Sequence, residues 1–203
     1  MTVKPAARTL AALLVAGLTL GACGLPSESA PTYYYLLDPI EPAGERQAGG
    51  AVRLALEPVE VPGYLDRQAL VTRGANNELE VASFHQWAEP LNANVTRVLA
   101  ENLRLLLEQT DVVQLPSRVG GFNAELQVEL IRFARAADGP VTLVARWVVL
   151  DGRRQQELAS RRAVVTEAPG GDGPEATVAA MDRALAELSR RIAEHLRTAG
   201  AAT

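Results

Sequence analysis

Three adjacent strand patterns place the strongest constraint on what this chain can fold into. Residues 125–130 alternate between polar and apolar side chains, which predicts a strand with one buried and one solvent-exposed face. Residues 141–150 are apolar at most positions and predict a central strand covered on both faces. Asp151-Gly152 predicts a hairpin, because this pair tolerates the positive φ angles of a tight turn, and residues 158–166 predict the returning strand near a sheet edge.

A long amphipathic helix follows these strands. Because charged side chains fill its other sides, one face should be buried against a sheet while the other is solvated. A second helix is predicted after Pro90, where apolar residues recur at helical spacing as far as Leu106 and are interrupted by Asn102. In the last helix the apolar residues recur at steps of three and four: Val178, Met181, Leu185, Leu188, Ile192 and Leu196.

Shorter strand patterns complete the predicted sheet. They lie at residues 33–37, 52–57, 69–73, 79–81 and 111–115. We therefore predict a single α/β domain, with α+β as the alternative. In it, a twisted mixed or antiparallel sheet of about six to eight strands carries two long helices.

The N-terminus has the three zones of a secretory signal. Lys4 and Arg8 supply positive charge, an apolar run of 11 residues follows, and two small residues precede Cys23, the only cysteine. The run is too short to cross a bilayer, which needs about 20 apolar residues. This layout is typical of a bacterial lipobox after a signal peptide of residues 1–22. The alternative is an ordinary secretory signal in which Cys23 is incidental.

Lipidation of Cys23 would attach the protein stably to a membrane. One acyl chain anchors a protein only marginally, and stable anchoring takes two membrane-binding groups. A diacylglyceryl thioether with an added N-acyl chain exceeds this requirement. Gly24 and Leu25 follow with no Asp, which by analogy with lipoprotein sorting in enteric-type bacteria favours the outer membrane, facing the periplasm. The expected layout is signal peptide 1–22, lipidated N-terminus and tether 23–32, globular domain 33–198 and frayed tail 199–203.

Composition excludes several classes of function. The chain has 24 acidic and 20 basic residues, which argues against nucleic acid as a partner. Lys4 is its only lysine, so no lysine chemistry remains once the leader is removed. With Cys23 lipidated there is no thiol for a disulfide, a nucleophile or a metal. His85 and His195 lack companions at metal-ligand spacing, so we expect neither a metal nor a cofactor.

The loop at residues 59–68 holds three candidate contact residues. A Pro-Gly turn precedes Tyr64 and Leu65, and Arg67 follows. One interpretation places Tyr64 and Leu65 in the core as the chain leaves a strand. The other is an exposed aromatic loop that meets a partner, since Tyr and Arg are frequent at interface hot spots.

The segment at residues 84–91 is the second unusual stretch. Trp87 either packs beneath a helix entry, with Glu89 near the positive end of the helix dipole, or contacts a partner. His85 beside Glu89 is a candidate acid–base pair. No nucleophile, zinc or phosphate-loop motif accompanies it, so no catalytic residue is assigned.

These segments together resemble a known family. A V-P-x-Y-L-D-R run at 61–67 is followed about twenty residues later by W-A-E-P-L at 87–91. The lipobox, Y-Y-Y-L-L at 33–37, Arg146-Trp147 and the long C-terminal helix extend the match over essentially the whole chain. The chain resembles the auxiliary lipoproteins of ABC-type lipid and organic-solvent transport systems, of the paraquat-inducible protein C type.

The resemblance implies an α/β domain and a non-enzymatic role. Such lipoproteins are partners of a substrate-binding protein with a mammalian-cell-entry (MCE) domain, which works with an ABC permease and an ATPase. Together these components move lipids between the inner and outer membranes. Some members form rings, so the resemblance also implies a homo-oligomer for this chain.

Three hypotheses for function follow. The first is a lipid-anchored docking component of such a transport system, with Tyr64, Leu65, Arg67 and Trp87 as the contact residues. The second is a periplasmic hydrolase that uses His85 with a carboxylate. The third is an outer-membrane assembly lipoprotein. A concave site around His85 would favour the hydrolase.

Overall fold

The segment with the clearest alternation forms the longest strand of an open mixed sheet. The computed structural model describes residues 30–42 and 50–199. Its strands are β1 (Tyr33–Tyr35), β2 (Val52–Leu56), β3 (Ala69–Arg73), β4 (Leu79–Trp87), β5 (Thr110–Gln114), β6 (Ala124–Ala136), β7 (Val141–Asp151) and β8 (Glu157–Glu167). Its helices are α1 (Leu91–Leu106) and α2 (Pro174–Thr198).

Strand β6 organises the sheet, because it pairs along both edges. On one edge it is antiparallel to β7, which in turn is antiparallel to the edge strand β8. On the other edge it is parallel to β2 near its start and to β3 near its end. Strand β5 extends the sheet from β2, while β4 and then β1 extend it from β3. This mixed eight-stranded sheet with two helices confirms the predicted α/β class.

The expectation that β7 is covered on both faces holds only in part, because Val144 on the second face is 8% exposed but its neighbours on that face are not fully buried. Leu143, Ala145 and Trp147 are buried, whereas Arg146 between them is exposed and pairs with Glu129 of β6 at 2.9 Å. Both helices contact each other and therefore pack on the same face of the sheet. Within residues 30–42 and 50–199, no helix covers the apolar side chains on the opposite face of β7.

The apolar stripe predicted for the last helix is confirmed as its buried face in α2. Asn102, which interrupts the stripe of α1, is also fully buried. Its side-chain amide donates to Ser189 Oγ of α2 at 3.1 Å, and its Oδ1 accepts the Ile40 N–H at 2.8 Å. The polar interruption thus joins the two helices to the segment after β1. No helix in the described part of the chain is both long and apolar enough to cross a membrane.

The hairpin between β7 and β8 forms where it was predicted but for a different reason. Asp151 Oδ1 accepts the backbone N–H groups of Arg153 and Arg154 at 2.9 and 2.7 Å, and these donors hold the Asp151 pKa below its ordinary value. The positive φ angle belongs to Gln155, at 56°, and not to Gly152. Gly152 is required because a Cβ there would overlap the carbonyl oxygen of Phe122.

Replacing Gly152 with Ala is therefore expected to lower the free energy of unfolding by about 1–3 kcal/mol, the usual cost of overpacking. The new methyl group would also lie 2.7 Å from the carbonyl carbon of Phe122, a backbone atom that moves only with its chain. Urea denaturation measures the change. Gly63→Ala is the matched control, because a Cβ at Gly63 meets nothing within 4 Å. Equal stabilities of the two variants would contradict the prediction.

Candidate functional site

The loop before β3 places its candidate contact residues at different depths. Leu65 is 3% exposed and lies in the core, with its N–H bonded to the Pro62 carbonyl at 2.8 Å. Tyr64 is partly buried, and its hydroxyl is enclosed without a hydrogen-bond partner in the described part of the chain. Arg67 is exposed. Of these three side chains, only Arg67 is freely accessible to a partner.

Trp87 is likewise a core residue, with 3% of its surface exposed. Its backbone N–H donates to the Gln68 carbonyl at 2.6 Å, which ties the end of β4 to the same loop. Burial of Leu65 and Trp87 agrees with the interpretation of these residues as core packing. As contact residues they would need exposed surface that they lack, because the loop folds inward against β4 and α1.

An open cavity of about 810 Å³ lies beside this loop, on the uncovered face of β6 and β7. We call it the acidic groove, after four of its lining residues: Glu57, Glu60, Asp66 and Glu129. Burial, and secondarily the charge of Glu125, raises the pKa of Glu57. Arg146 is the groove's only lining cation among the described residues, and Glu129 already binds it. The acidic groove therefore presents net negative charge.

His85 takes part in a hydrogen-bonded chain that the sequence did not suggest. The Tyr35 hydroxyl donates to Glu175 Oε1 at 3.0 Å and lies 2.8 Å from His85 Nδ1. With its own proton directed to Glu175, the hydroxyl accepts from His85, which places a proton on Nδ1. Tyr33 stacks on the same imidazole with ring centroids 5.3 Å apart. These contacts fasten β1 to β4 and to the first turn of α2.

The carboxylate considered as the acid–base partner of His85 is engaged by another residue. Glu89, the carboxylate nearest to His85 in sequence, is engaged by Arg97 at 3.1 Å. His85 lines none of the three cavities described for this fold. Among the described residues no three His, Cys, Asp or Glu side chains gather as a metal site requires. The geometry around His85 is that of a structural contact.

Replacing Tyr35 with Phe is expected to abolish a late tyrosine titration. Burial first, and then the hydrogen bond to Glu175, raises the Tyr35 pKa from 10.0 to about 12. Because the folded state favours the neutral phenol, its stabilising effect is complete below pH 10 and is lost as the pH rises through 12. Tyrosinate absorbance and urea denaturation between pH 9 and pH 12.5 follow both effects. No lysine interferes once the leader is removed.

Tyr34→Phe is the matched control for this titration, since Tyr34 is 64% exposed and adjacent in β1. This variant should keep the late transition and the accompanying loss of stability. A late transition that persists in Tyr35→Phe would show that another tyrosine produces it.

Exposed apolar side chains concentrate at one end of the sheet. Six of the ten large ones among the described residues belong to β1, β4 or the residue after β1. We call them the apolar strand patch: Tyr33, Tyr34, Leu36, Leu79, Val81 and Phe84. Adjacent strand residues such as Tyr33 and Tyr34 point to opposite faces, so these side chains are spread over both faces of this edge of the sheet.

Comparison with known proteins decides the family. The family model described as "ABC-type transport auxiliary lipoprotein component" matches residues 35–193, most of the chain. The chain belongs to this family. Membership identifies it as an auxiliary lipoprotein of a transport system of the cell envelope, as the sequence motifs indicated.

A curated relative of this auxiliary lipoprotein is the intermembrane transport lipoprotein PqiC of Escherichia coli. The two are 29% identical over 143 residues, which cover 70% of this chain and 71% of PqiC. The matched length is large enough that the likeness spans most of the domain rather than one motif.

Solved structures of similar proteins support the same fold. An uncharacterized protein of known crystal structure superposes with a TM-score of 0.70 at 23% identity, covering 82% of this chain and 99% of its own. A Xanthomonas campestris protein superposes with a TM-score of 0.66 at 18% identity, covering 84% and 97%. At these identities the comparison establishes the fold of the auxiliary lipoprotein and nothing about its ligands.

Proposed function

We propose that this auxiliary lipoprotein is a lipid-anchored, non-enzymatic docking component of an MCE-associated ABC transport system. Its cargo in this proposal is a lipid or an organic solvent crossing the cell envelope. The family match over residues 35–193 is the observation that carries the proposal. The similarity to PqiC, an intermembrane transport lipoprotein, supports it.

The proposed anchor is Cys23, which lies outside the described residues. The signal peptide 1–22 would be removed, and residues 23–32 would tether the domain 33–198 to the outer membrane. Nine residues, 24–32, separate Cys23 from the start of β1, and about 3.3–3.6 Å per residue limits their reach to roughly 30 Å. The domain would therefore stay close to its membrane, and the partner would span most of the remaining distance.

The anchor is tested by replacing Cys23 with Ser and fractionating the cells. We expect the wild-type chain in the outer-membrane fraction and the variant in the soluble periplasm. Mass spectrometry of the N-terminal peptide should show acyl chains on Cys23 in the wild type alone. A Cys23→Ser chain that stays with the outer membrane would count against lipid anchoring.

Two exposed features form the proposed contact with the MCE-domain protein, the permease and the ATPase. Arg67 projects from the loop before β3, where it has no carboxylate partner within the described residues. The apolar strand patch supplies uncovered apolar surface, including Phe84 at 47% exposure and Tyr34 at 64%. An interface that combines apolar area with an arginine has the composition of an interaction hot spot. A homo-oligomer formed by the same domain belongs to this proposal.

Docking is tested by detergent solubilisation and affinity recovery of the intact system. The wild-type chain should recover an MCE-domain protein together with the permease and ATPase. Arg67→Glu should reduce recovery roughly tenfold, the effect of about 1.4 kcal/mol at a hot spot. Arg118→Glu is the matched control, because Arg118 is exposed in the loop between β5 and β6. Failure of the wild-type chain to recover any of these components would refute the docking role.

A further inference from the structure

A cationic groove runs between the edge strand β8 and the C-terminal half of α2. It encloses a cavity of about 490 Å³. We call it the arginine groove, after the residues that carry the argument: Arg161, Arg190, Arg191, His195 and Trp147. Arg161 of β8 pairs with Trp147 and shares its face of the sheet, so it stands opposite Arg190 and Arg191 of α2 and guanidinium groups line both walls. The adjacent Arg162 pairs with Arg146, and its side chain faces the other side of β8.

The charge of this groove is not neutralised by the protein. Arg190 and Arg191 share a single carboxylate, Glu187, at 3.5 and 2.9 Å. Glu194, which also lines the groove, is engaged by Arg197 at 3.0 Å. The whole chain has more acidic than basic residues. The excess of arginine in this groove therefore does not reflect the overall composition of the chain.

The two arginines of β8 have the most free donors. Arg161 Nη1 donates to the Ser160 carbonyl at 3.0 Å, and neither Arg161 nor Arg162 has a carboxylate partner within the described residues. A guanidinium has five N–H donors in a fixed fork that matches the oxygens of a phosphate or carboxylate. Most of the Arg161 donors therefore remain available to a ligand in the groove.

The floor of the groove is apolar apart from one donor. Trp147 and Ala163 are 3% and 7% exposed and line it from β7 and β8. The Trp147 Nε1–H donates to His195 Nδ1 at 2.9 Å, so the imidazole carries its proton on Nε2. Burial, and secondarily the charge of Arg161, lowers the pKa of His195, which keeps this ring neutral at neutral pH. Nε2–H makes no hydrogen bond within the described part of the chain.

We infer that the arginine groove binds a phosphate monoester or diester, held by guanidinium forks on both walls and the His195 Nε2–H at the floor. Bidentate arginine–phosphate contacts are among the strongest charge-assisted hydrogen bonds. The apolar floor beside the arginines suits a phosphate attached to an apolar body, as in an anionic lipid. Free phosphate shares the charged contacts but leaves this floor unused.

An acidic peptide added along β8 fits the groove less well. Strand addition needs the free carbonyl groups of an edge strand. Arg191 Nη1 already donates to the Val164 carbonyl at 3.1 Å, which occupies one of the carbonyls that such a peptide would require. The groove therefore favours a compact anion over an extended chain.

This inference goes beyond docking and does not depend on it. Recovery of the transport complex depends on Arg67 and the apolar strand patch, whereas phosphate binding depends on Arg161 and Arg190. The two tests can thus fail separately.

The test titrates the lipidated full-length chain in dodecyl maltoside micelles and follows the Trp147 indole N–H by nuclear magnetic resonance. The chain has two tryptophans, and Trp87 is the internal reference. The ligands are phosphatidate, diacylglycerol, inorganic phosphate and an oligoglutamate peptide. Phosphatidate and diacylglycerol differ only in the phosphate group. We expect phosphatidate to shift the Trp147 resonance saturably and diacylglycerol to leave it unchanged.

Variants locate the binding at the groove. Arg161→Gln should weaken phosphatidate binding at least tenfold, and Arg190→Gln provides a second, independent variant. Arg153→Gln with Arg154→Gln is the matched control, since it removes two exposed arginines from the hairpin of the same strand pair. Circular dichroism checks that each variant is folded.

Each outcome decides the inference. Tighter binding of phosphatidate than of inorganic phosphate supports a lipid phosphate, and equal binding supports the phosphate site while assigning it to free phosphate. Absence of a Trp147 shift with either ligand would overturn the inference. So would tighter binding of oligoglutamate, or an equal loss of affinity in the control pair.

Discussion

Replacing Trp147 with Ala is expected to lower the free energy of unfolding by about 3–5 kcal/mol, the usual cost of removing a large buried aromatic side chain. Trp147 is 3% exposed and lies in the central strand β7, within the core that α2 covers. It meets the His195 ring edge-on, with centroids 5.9 Å apart, and donates its Nε1–H to His195 Nδ1. The truncation therefore opens a cavity and leaves a buried acceptor without its donor.

Trp147→Phe separates these two effects. Phenylalanine keeps most of the apolar volume but lacks the N–H, so we expect a smaller loss of about 1–2 kcal/mol from the unpaired acceptor. Leu158→Ala is the surface control, because Leu158 on β8 is 49% exposed, and its effect should stay within about 0.5 kcal/mol. Urea denaturation followed by circular dichroism measures all three. A Trp147→Ala loss no larger than that of Leu158→Ala would show that the residue is not part of the core.

Replacing Arg135 with Met is expected to cost about 2–4 kcal/mol, because several hydrogen bonds are lost at once. Arg135 is 7% exposed at the end of β6. Its guanidinium donates to the Gly171 and Asp172 carbonyls at 3.2 and 3.1 Å and to Thr177 Oγ1 at 3.2 Å. One side chain thus holds the loop before α2 and the first turn of that helix against the sheet.

Arg146→Met is the matched control for Arg135, since it makes the same change on the neighbouring strand. The Arg146 side chain is 61% exposed and pairs with Glu129, which is 42% exposed. Exposed ion pairs contribute about 0–1 kcal/mol, so this variant should unfold nearly as the wild type does. Hydrogen exchange should also show faster opening of the α2 N-terminus in Arg135→Met alone. Equal stability losses at the two positions would contradict a specific role for Arg135.

Strand and helix positions followed from the sequence wherever one face of an element is buried. The alternation at residues 125–130 and the stripe of α2 both reflect the spacing at which side chains return to the same face. The prediction was less accurate for β4, which runs over Leu79–Trp87 although only residues 79–81 were predicted. Most of β4 is exposed, so its side chains carry no burial pattern, and backbone pairing with β3 and β1 defines it.

Exposure of the candidate contact residues did not follow from the sequence. Tyr64, Leu65 and Trp87 are apolar or aromatic and suit a core or an interface equally well. The inward fold of the loop before β3 buries Leu65 and Trp87 and leaves Arg67 outside. No local pattern separates these cases, because the covering atoms come from distant segments.

The sequence by itself determined the strands and helices that have one buried face, the family motifs and the expected lipid site at Cys23. Each of these depends on residues that are neighbours in the chain or that repeat at a fixed period. Only the tertiary structure decided which groups meet across the fold. Tyr35 and Glu175 are 140 positions apart, and Trp147 and His195 are 48 apart. The arginine groove arose in the same way, when pairing of β8 with β7 and packing of α2 brought Arg161 together with Arg190 and Arg191 at one cavity.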